Sequence, residues 1–278
     1  MLEYTLNLVF LYYFMYIITM SNKYLSYISD NHLFSCIENL HSSYLKAKAG
    51  ISKKKFYKNK IDVIKLTFDS KFNNLDEETL IKTEINRQID KSINNSIGTF
   101  HEEILGGIDG FEMGKLSGFD IKASDNTLFA DIKNKHNTMN SSSAESLFQK
   151  LAHFADTYKQ AKCYWVQILA TKSFNQHWAG IINGKEYSHT RVFKISGDQF
   201  YQMLTGQEKA LYNLYSVLPK AITTFLKSKE KHNKPDNSAL TEIRKSASDS
   251  QHSILDEITF ENYSYYLGFD NFKQPKSR

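Results

Sequence analysis

Gly118-Phe-Asp-Ile-Lys-Ala-Ser-Asp-Asn-Thr-Leu-Phe-Ala-Asp-Ile-Lys-Asn-Lys135 is two alternating apolar runs joined by a polar turn. The alternation predicts strands over 117–123 and 127–134, and Ser124-Asp125-Asn126 has the residue types of a tight hairpin turn. Residues two apart on a strand leave the same face. Asp131 and Lys133 therefore share one face, and Ile132 points the other way, into a core. With Asp125 and Asn126 as the loop pair, Asp120 falls opposite Asp131 and Gly118 opposite Lys133. Opposed side chains have Cβ atoms about 4.5–5.5 Å apart, and two like charges at that distance destabilise the hairpin unless something compensates. A divalent cation does so. Oxygen-only ligands favour Mg²⁺, which keeps several waters and binds through one or two carboxylates, and Gly118 leaves room over Lys133 for a phosphate.

Spacing alone leaves alternatives open. Asp-x-Lys also occurs at Asp69-Ser70-Lys71 and Asp120-Ile121-Lys122, and Asp109 precedes Asp120 by the interval that separates Asp120 from Asp131. A solvated hairpin face with incidental charges fits the same trio. Against the Asp109 alternative, Gly114-Lys115-Leu116-Ser117-Gly118 makes a poor second strand.

Asp120 followed by Asp131-x-Lys133 resembles the signature of the PD-(D/E)xK nuclease superfamily, with Phe119 where a proline often stands. The string from Lys133 to Ser143, Lys-Asn-Lys-His-Asn-Thr-Met-Asn-Ser-Ser-Ser, resembles a narrower family, type II restriction endonucleases that cut the palindrome GGNCC. The similarity extends to Asp62–Ser70, Asn94–His101 and Leu218-Pro219-Lys220, and so covers roughly residues 21–226. It implies an α/β fold with a PD-(D/E)xK restriction-endonuclease-like core, a mixed central sheet flanked by helices, and additional helices at both ends. It further implies Mg²⁺-dependent hydrolysis of double-stranded DNA that leaves 5′-phosphate and 3′-hydroxyl ends. Asp120, Asp131 and the backbone carbonyl of Ile132 would hold the metal, and Lys133 would orient the attacking water or neutralise the developing oxyanion. The helix before the hairpin would add an acid, Glu102 or Glu103, with Glu103 the candidate assigned.

For DNA reading, Lys135 shares the strand face of Lys133, and His136, Asn137 and Asn140 occupy the following loop. Arginine commonly reads guanine. Among only four arginines, Arg191 is the candidate, with a structural ion pair as its other reading. A palindromic target implies a homodimer, and such an enzyme implies a cognate DNA methyltransferase as genetic partner.

Composition sets outer bounds. With 278 residues, 41% of them hydrophobic, the chain can bury one substantial core and a small subdomain. A net charge of +5 suits a polyanionic partner without requiring one. Cys36 and Cys163 read as buried reduced thiols of a cytoplasmic protein. Leu6 to Met20 is apolar but shorter than a membrane span and lacks signal-peptide features. Met20 therefore reads as the initiator and 1–19 as a spurious extension, with an interfacial anchor as the lesser alternative.

The remaining organisation is an N-terminal helical region over 20–93, a catalytic core with a helical C-terminal part over 94–226, a linker over 227–238 and a tail over 239–278. Helices are expected over 29–46, 75–93, 95–105 and 142–160, the last capped by serines, and a strand over 162–170. Ser196–Gln199 and Thr205–Glu208 carry capping-box patterns, and Pro219 suits a helix first turn. Lys53–Lys60 is basic with interleaved aromatics, either a DNA backbone contact or a solvated loop. Competing functions are a sequence-nonspecific or structure-specific repair nuclease and a non-catalytic DNA-binding protein.

Overall fold

The computed structural model describes residues 22–49, 51–114, 118–229 and 238–263. The expected extension over 1–19 and the end of the expected tail lie outside them. The described residues fall into two units, one within 1–40 and 97–230, the other within 41–96 and 231–278.

The first unit is a mixed α/β layer structure. Helix α1 (Asp30–Lys48) begins in it, α2 (Lys53–Lys58) and α3 (Val63–Phe72) belong to the second unit, and α4 (Glu77–Gly106) ends in the first. Then come β1 (Phe111–Met113), β2 (Ile121–Ala123), β3 (Leu128–Lys135), α5 (Ser141–Thr157), β4 (Lys162–Leu169), β5 (Asn175–His177), β6 (Gly180–Ile182), β7 (Lys185–Tyr187) and β8 (Val192–Ser196). Helices α6 (Gly197–Thr205) and α7 (Ala210–Lys227) complete it. The main sheet runs β1-β2-β3-β4-β8-β5. The meander β1-β2-β3 is antiparallel, β3, β4 and β8 are parallel, and β5 returns antiparallel.

Strand alternation divides the core between the sheet's faces. Ala130, Ile132, Tyr164, Val166 and Ile195 pack in one cluster with Leu33, Ile104, Phe200, Tyr201 and Leu214. Phe129, Cys163 and Val192 join Leu147, Phe148 and Leu151 of α5 in another. The sheet is thus covered by α5 on one side and by helices from both ends of the chain on the other. Gly197 lets α6 start directly against β4, since a Cβ there would lie 2.7 Å from the Ile168 carbonyl oxygen. Both cysteines are buried and free, and burial pushes each thiol up to about 12. Among the described residues, no helix is long and apolar enough to cross a membrane.

The structure departs from the sequence reading at several points. The helices expected over 75–93 and 95–105 are one 30-residue helix, α4, about 45 Å long. Asn94 and Ser96 do not break it, because they bond one turn back, to Asp90 and to the Ser92 carbonyl. Pro219 lies inside α7 rather than in a first turn. Neither capping box forms: the Ser196 hydroxyl bonds Asp198 and the Phe174 carbonyl, and Thr205 ends α6. Domain boundaries move as well. The 20–93 region divides between the units, and the described part of 239–278 is two helices, α8 (Ser238–Asp249) and α9 (Ile254–Tyr263). Their Ala239, Ile243 and Ile258 are buried with Phe56, Leu66, Leu80 and Ile81 in the second unit's core.

Phe129 contacts the rings of Phe119, Phe154 and Tyr158 and is 1% exposed. Phe129→Ala is expected to cost about 3–5 kcal/mol in urea denaturation; a loss below about 1 kcal/mol would mean that this cluster contributes little to stability.

Candidate active site

The β2–β3 hairpin takes the predicted register. Ile121 pairs with Ala130 and Lys122 with Phe129, and the Asp120 N–H donates to the Ala130 carbonyl. Ala130 therefore faces both Asp120 and Ile121, the regular pairing stops there, and the expected Asp120–Asp131 pair does not form; Asp120 reaches β3 through its side chain instead. Asn126 adopts φ 61°, as a tight turn between short strands requires. The ladder is shorter than expected. It ends at Ile121, so Gly118 lies in a turn with φ 75° and is not paired with Lys133, while Ser117 is outside the described residues. A third strand, β1, absent from the strands expected above, pairs with β2.

Past the end of the ladder, side chains do what backbone pairing no longer can. The Ile132 N–H donates to Asp120 Oδ2 at 2.6 Å. A strand residue's N–H and C=O leave on the same edge, so the Ile132 carbonyl also faces the Asp120 side. Asp131 is 8% exposed and accepts from Lys133 Nζ. Its other oxygen lies 3.4 Å from Lys150 Nζ, which also donates to the Gly118 carbonyl and sits 4.0 Å over the Phe119 ring. Burial raises the Asp120 carboxyl above its usual range, opposed by the Ile132 N–H and assisted by the Asp131 charge.

Helix phase decides between the two candidate acids. Successive helix residues point about 100° apart, and it is Glu102 that feels the hairpin charges. Burial, then Asp120, push its carboxyl up to about 7. Glu103, the residue assigned from sequence, turns away, its side chain accepting from Asn39 Nδ2 at 3.1 Å and its carbonyl bonded to His32. His101 is a packing residue: its ring bonds the buried Tyr201 hydroxyl at 2.8 Å, and burial holds it down at about 4.

The expected DNA contacts separate into three groups. Lys135, His136 and Asn137 are exposed at the C-terminal end of β3, beyond Lys133. Asn140 caps α5 instead, its side chain accepting from the Ser143 N–H at 2.8 Å in the role expected of the serines. Arg191 is remote. Its carbonyl accepts from Cys163, which is level with Phe129, so it stands four residues, about 13 Å, back along the strands from Lys133. Its guanidinium bonds the Ala155 carbonyl at 2.6 Å and approaches Asp156 at 3.6 Å, which is the structural reading.

Sequence reasoning missed Lys150. It lies three residues after Leu147 and one before Leu151, on the edge of the apolar stripe of α5. The available signal was that a lysine bordering a buried stripe must emerge at the rim of the sheet the stripe covers. Gln167 was also missed; it is buried, level with Lys133 on β4 and on the same sheet face.

Among the described residues, no group of three or more His, Cys, Asp or Glu side chains stands close enough to hold a metal. The donor set still fits a hard cation needing one or two carboxylates plus water: Asp120, Asp131, an adjoining backbone carbonyl, and no soft ligand. Two ammonium groups compensate Asp131 in this structure, the office assigned to a cation on sequence grounds.

Glu102 makes stability fall as pH rises. Its carboxyl titrates near 7 in the folded chain against 4.5 ordinarily, so between those values the folded chain holds a proton that the unfolded chain has released. His101 acts in the opposite direction, so the useful comparison is between variants. Urea denaturation in EDTA is expected to show Glu102→Gln gaining stability relative to the unmutated chain as pH rises from 4.5 to 7; a difference between the two that does not change with pH would contradict the burial argument.

Comparison with known proteins gives a consistent answer. Residues 25–227 match the family model described as Eco47II restriction endonuclease. The chain is 42% identical over 261 residues to the type II restriction enzyme Sau96I of Staphylococcus aureus, covering 90% of this chain and 100% of that enzyme. It is 31% identical over 212 residues to the type II restriction enzyme Eco47II of Escherichia coli, covering 73% and 88% respectively.

Proposed function

This chain belongs to the Eco47II restriction endonuclease family, and on that premise we propose that it hydrolyses double-stranded DNA at GGNCC with Mg²⁺ at the β2–β3 hairpin. The observation that carries the reading is the convergence of Asp120, Asp131 and Lys133 beyond the last paired residues of that hairpin. The relatives support a site-specific cutter over a repair nuclease. The target sequence is supported by the resemblance of the 133–143 string.

In this reading the core is of the PD-(D/E)xK type, and Asp120 and Asp131 would hold the cation with the Ile132 carbonyl. Bound Mg²⁺ supplies a more acidic water and stabilises charge on the scissile phosphate. Lys133, which donates to Asp131, would orient the attacking water or neutralise the oxyanion. Lys150 keeps the Gly118 turn against Asp131 and so positions both strands of the site. Glu102, protonated or charged near neutrality, takes or holds a proton beside the two aspartates. Lys135, His136 and Asn137 are the near contacts to DNA. The products carry 5′-phosphate and 3′-hydroxyl ends. A palindromic target calls for a homodimer, a cytoplasmic location suits the buried thiols, and the host requires a methyltransferase that protects its own sites.

Unmethylated phage DNA incubated with the chain in Mg²⁺ is expected to give discrete fragments ending at GGNCC, and none in EDTA. Asp131→Ala is expected to abolish cleavage, and Lys133→Ala to slow it by about 10²-fold or more. Random nicking would point to a repair nuclease, and tight binding without cleavage would overturn the catalytic reading.

A further inference from the structure

The second unit carries a feature that the cleavage site does not use. Between Lys46 and Lys65 the sequence has eight lysines and one carboxylate, Asp62. The Lys53–Lys60 region, read from sequence as either a DNA backbone contact or a solvated loop, is largely α2, capped by Ser52 and anchored through buried Phe56. Lys53 is held from behind: its ammonium lies 3.1 Å from Glu257, 2.9 Å from Glu261 and 2.7 Å from the Ser246 hydroxyl, and its N–H donates to Glu242. These contacts neutralise one lysine and fix the helix.

The other lysines of the run meet a different environment. Lys54 and Lys58 are exposed and have no carboxylate partner among the described residues, and Lys55 reaches only the Lys46 carbonyl, at 3.4 Å. Other lysines have carboxylate partners, among them Lys82 with Glu78, Lys122 with Glu112 and Lys185 with Glu145. Lys54, Lys55, Lys58 and Lys60 wall a concavity of about 850 Å³. The same wall holds Lys53 and two carboxylates, Glu242 and Glu261, both engaged by Lys53, so five lysines face two carboxylates and the wall is net positive. Tyr57, also in its wall, has a buried hydroxyl with no hydrogen-bond partner among the described residues. Unpaired ammonium groups on a rigid helix repel one another, and a polyanion relieves that repulsion.

We propose that this lysine-walled concavity of the second unit is a DNA-backbone contact, binding phosphates without reading bases. The proposal rests on the restriction-endonuclease reading for its partner. Lysine contacts of this kind release counterions, so each phosphate neutralised adds about 0.9 to the slope of log affinity against log salt. They are sequence-independent, and so weaken every duplex alike when removed.

The test is fluorescence anisotropy of the full chain in EDTA, between 50 and 200 mM salt, with one duplex containing GGNCC and one lacking it. K54Q/K58Q is expected to flatten the salt slope by about 1.8 on both duplexes, and to raise KM for cleavage while leaving kcat at saturating DNA unchanged. K54R/K58R is expected to keep the original slope. K71Q/K91Q, which removes the same charge from exposed lysines outside the concavity, is expected to keep it too. An unchanged slope in K54Q/K58Q, or an equal loss in K71Q/K91Q, would overturn the proposal while cleavage by the unmutated chain leaves the restriction reading intact. Failure of the unmutated chain to cut any DNA would instead overturn that reading.

Discussion

Asp120 and Asp131 converge at the open end of a hairpin, and much of the first unit can be understood as the means of holding two carboxylates there. Asp120 is held by a backbone N–H, that of Ile132, which became available because the ladder stops at Ile121. Asp131 is held by two ammonium groups, Lys133 from its own strand and Lys150 from α5. Hydrogen bonds to charged groups contribute about 1.5–3 kcal/mol each, which offsets like-charge repulsion and partial burial. The arrangement also accounts for α5: its apolar stripe covers the sheet, its N-terminus is fixed by Asn140, and its edge delivers Lys150 to the site.

Period-two alternation and turn chemistry are local, and the hairpin register they specify was legible for the pairs that form, Ile121–Ala130 and Lys122–Phe129, but not for the point at which pairing stops. Helix α5 and strand β4 were legible for the same reason, from an apolar stripe and an apolar run. What escaped depends on how elements dock. Glu102 and Glu103 differ by one step of helix phase, which only the contact between α4 and the hairpin resolves. Asn140 offers the same side chain to a base edge and to a helix N-terminus, and the cap took it. Arg191 was weighed by residue type; its position along parallel strands, at the far end from Lys133, required the register of β3, β4 and β8.

Long-range assembly was the least legible property. Helices α8 and α9 come after a lysine- and asparagine-rich stretch that reads as a linker, yet they bury Ala239, Ile243 and Ile258 beside residues from 51–85. No local pattern announces that partnership. The continuity of α4 was hidden in the same way, since Asn94-Asn95-Ser96 has the composition of a break but bonds along the helix.

The central claim is that the two convergent aspartates form a cation site for which Lys133 and Lys150 stand in when no cation is bound. Electron paramagnetic resonance of Mn²⁺ titrated into the DNA-free chain tests it most directly, because Mn²⁺ accepts the same oxygen ligands as Mg²⁺. The account predicts bound Mn²⁺ in the unmutated chain, loss of that binding in both Asp120→Asn and Asp131→Asn, and tighter binding in Lys150→Met. Mn²⁺ binding that is unchanged by either aspartate substitution would contradict it.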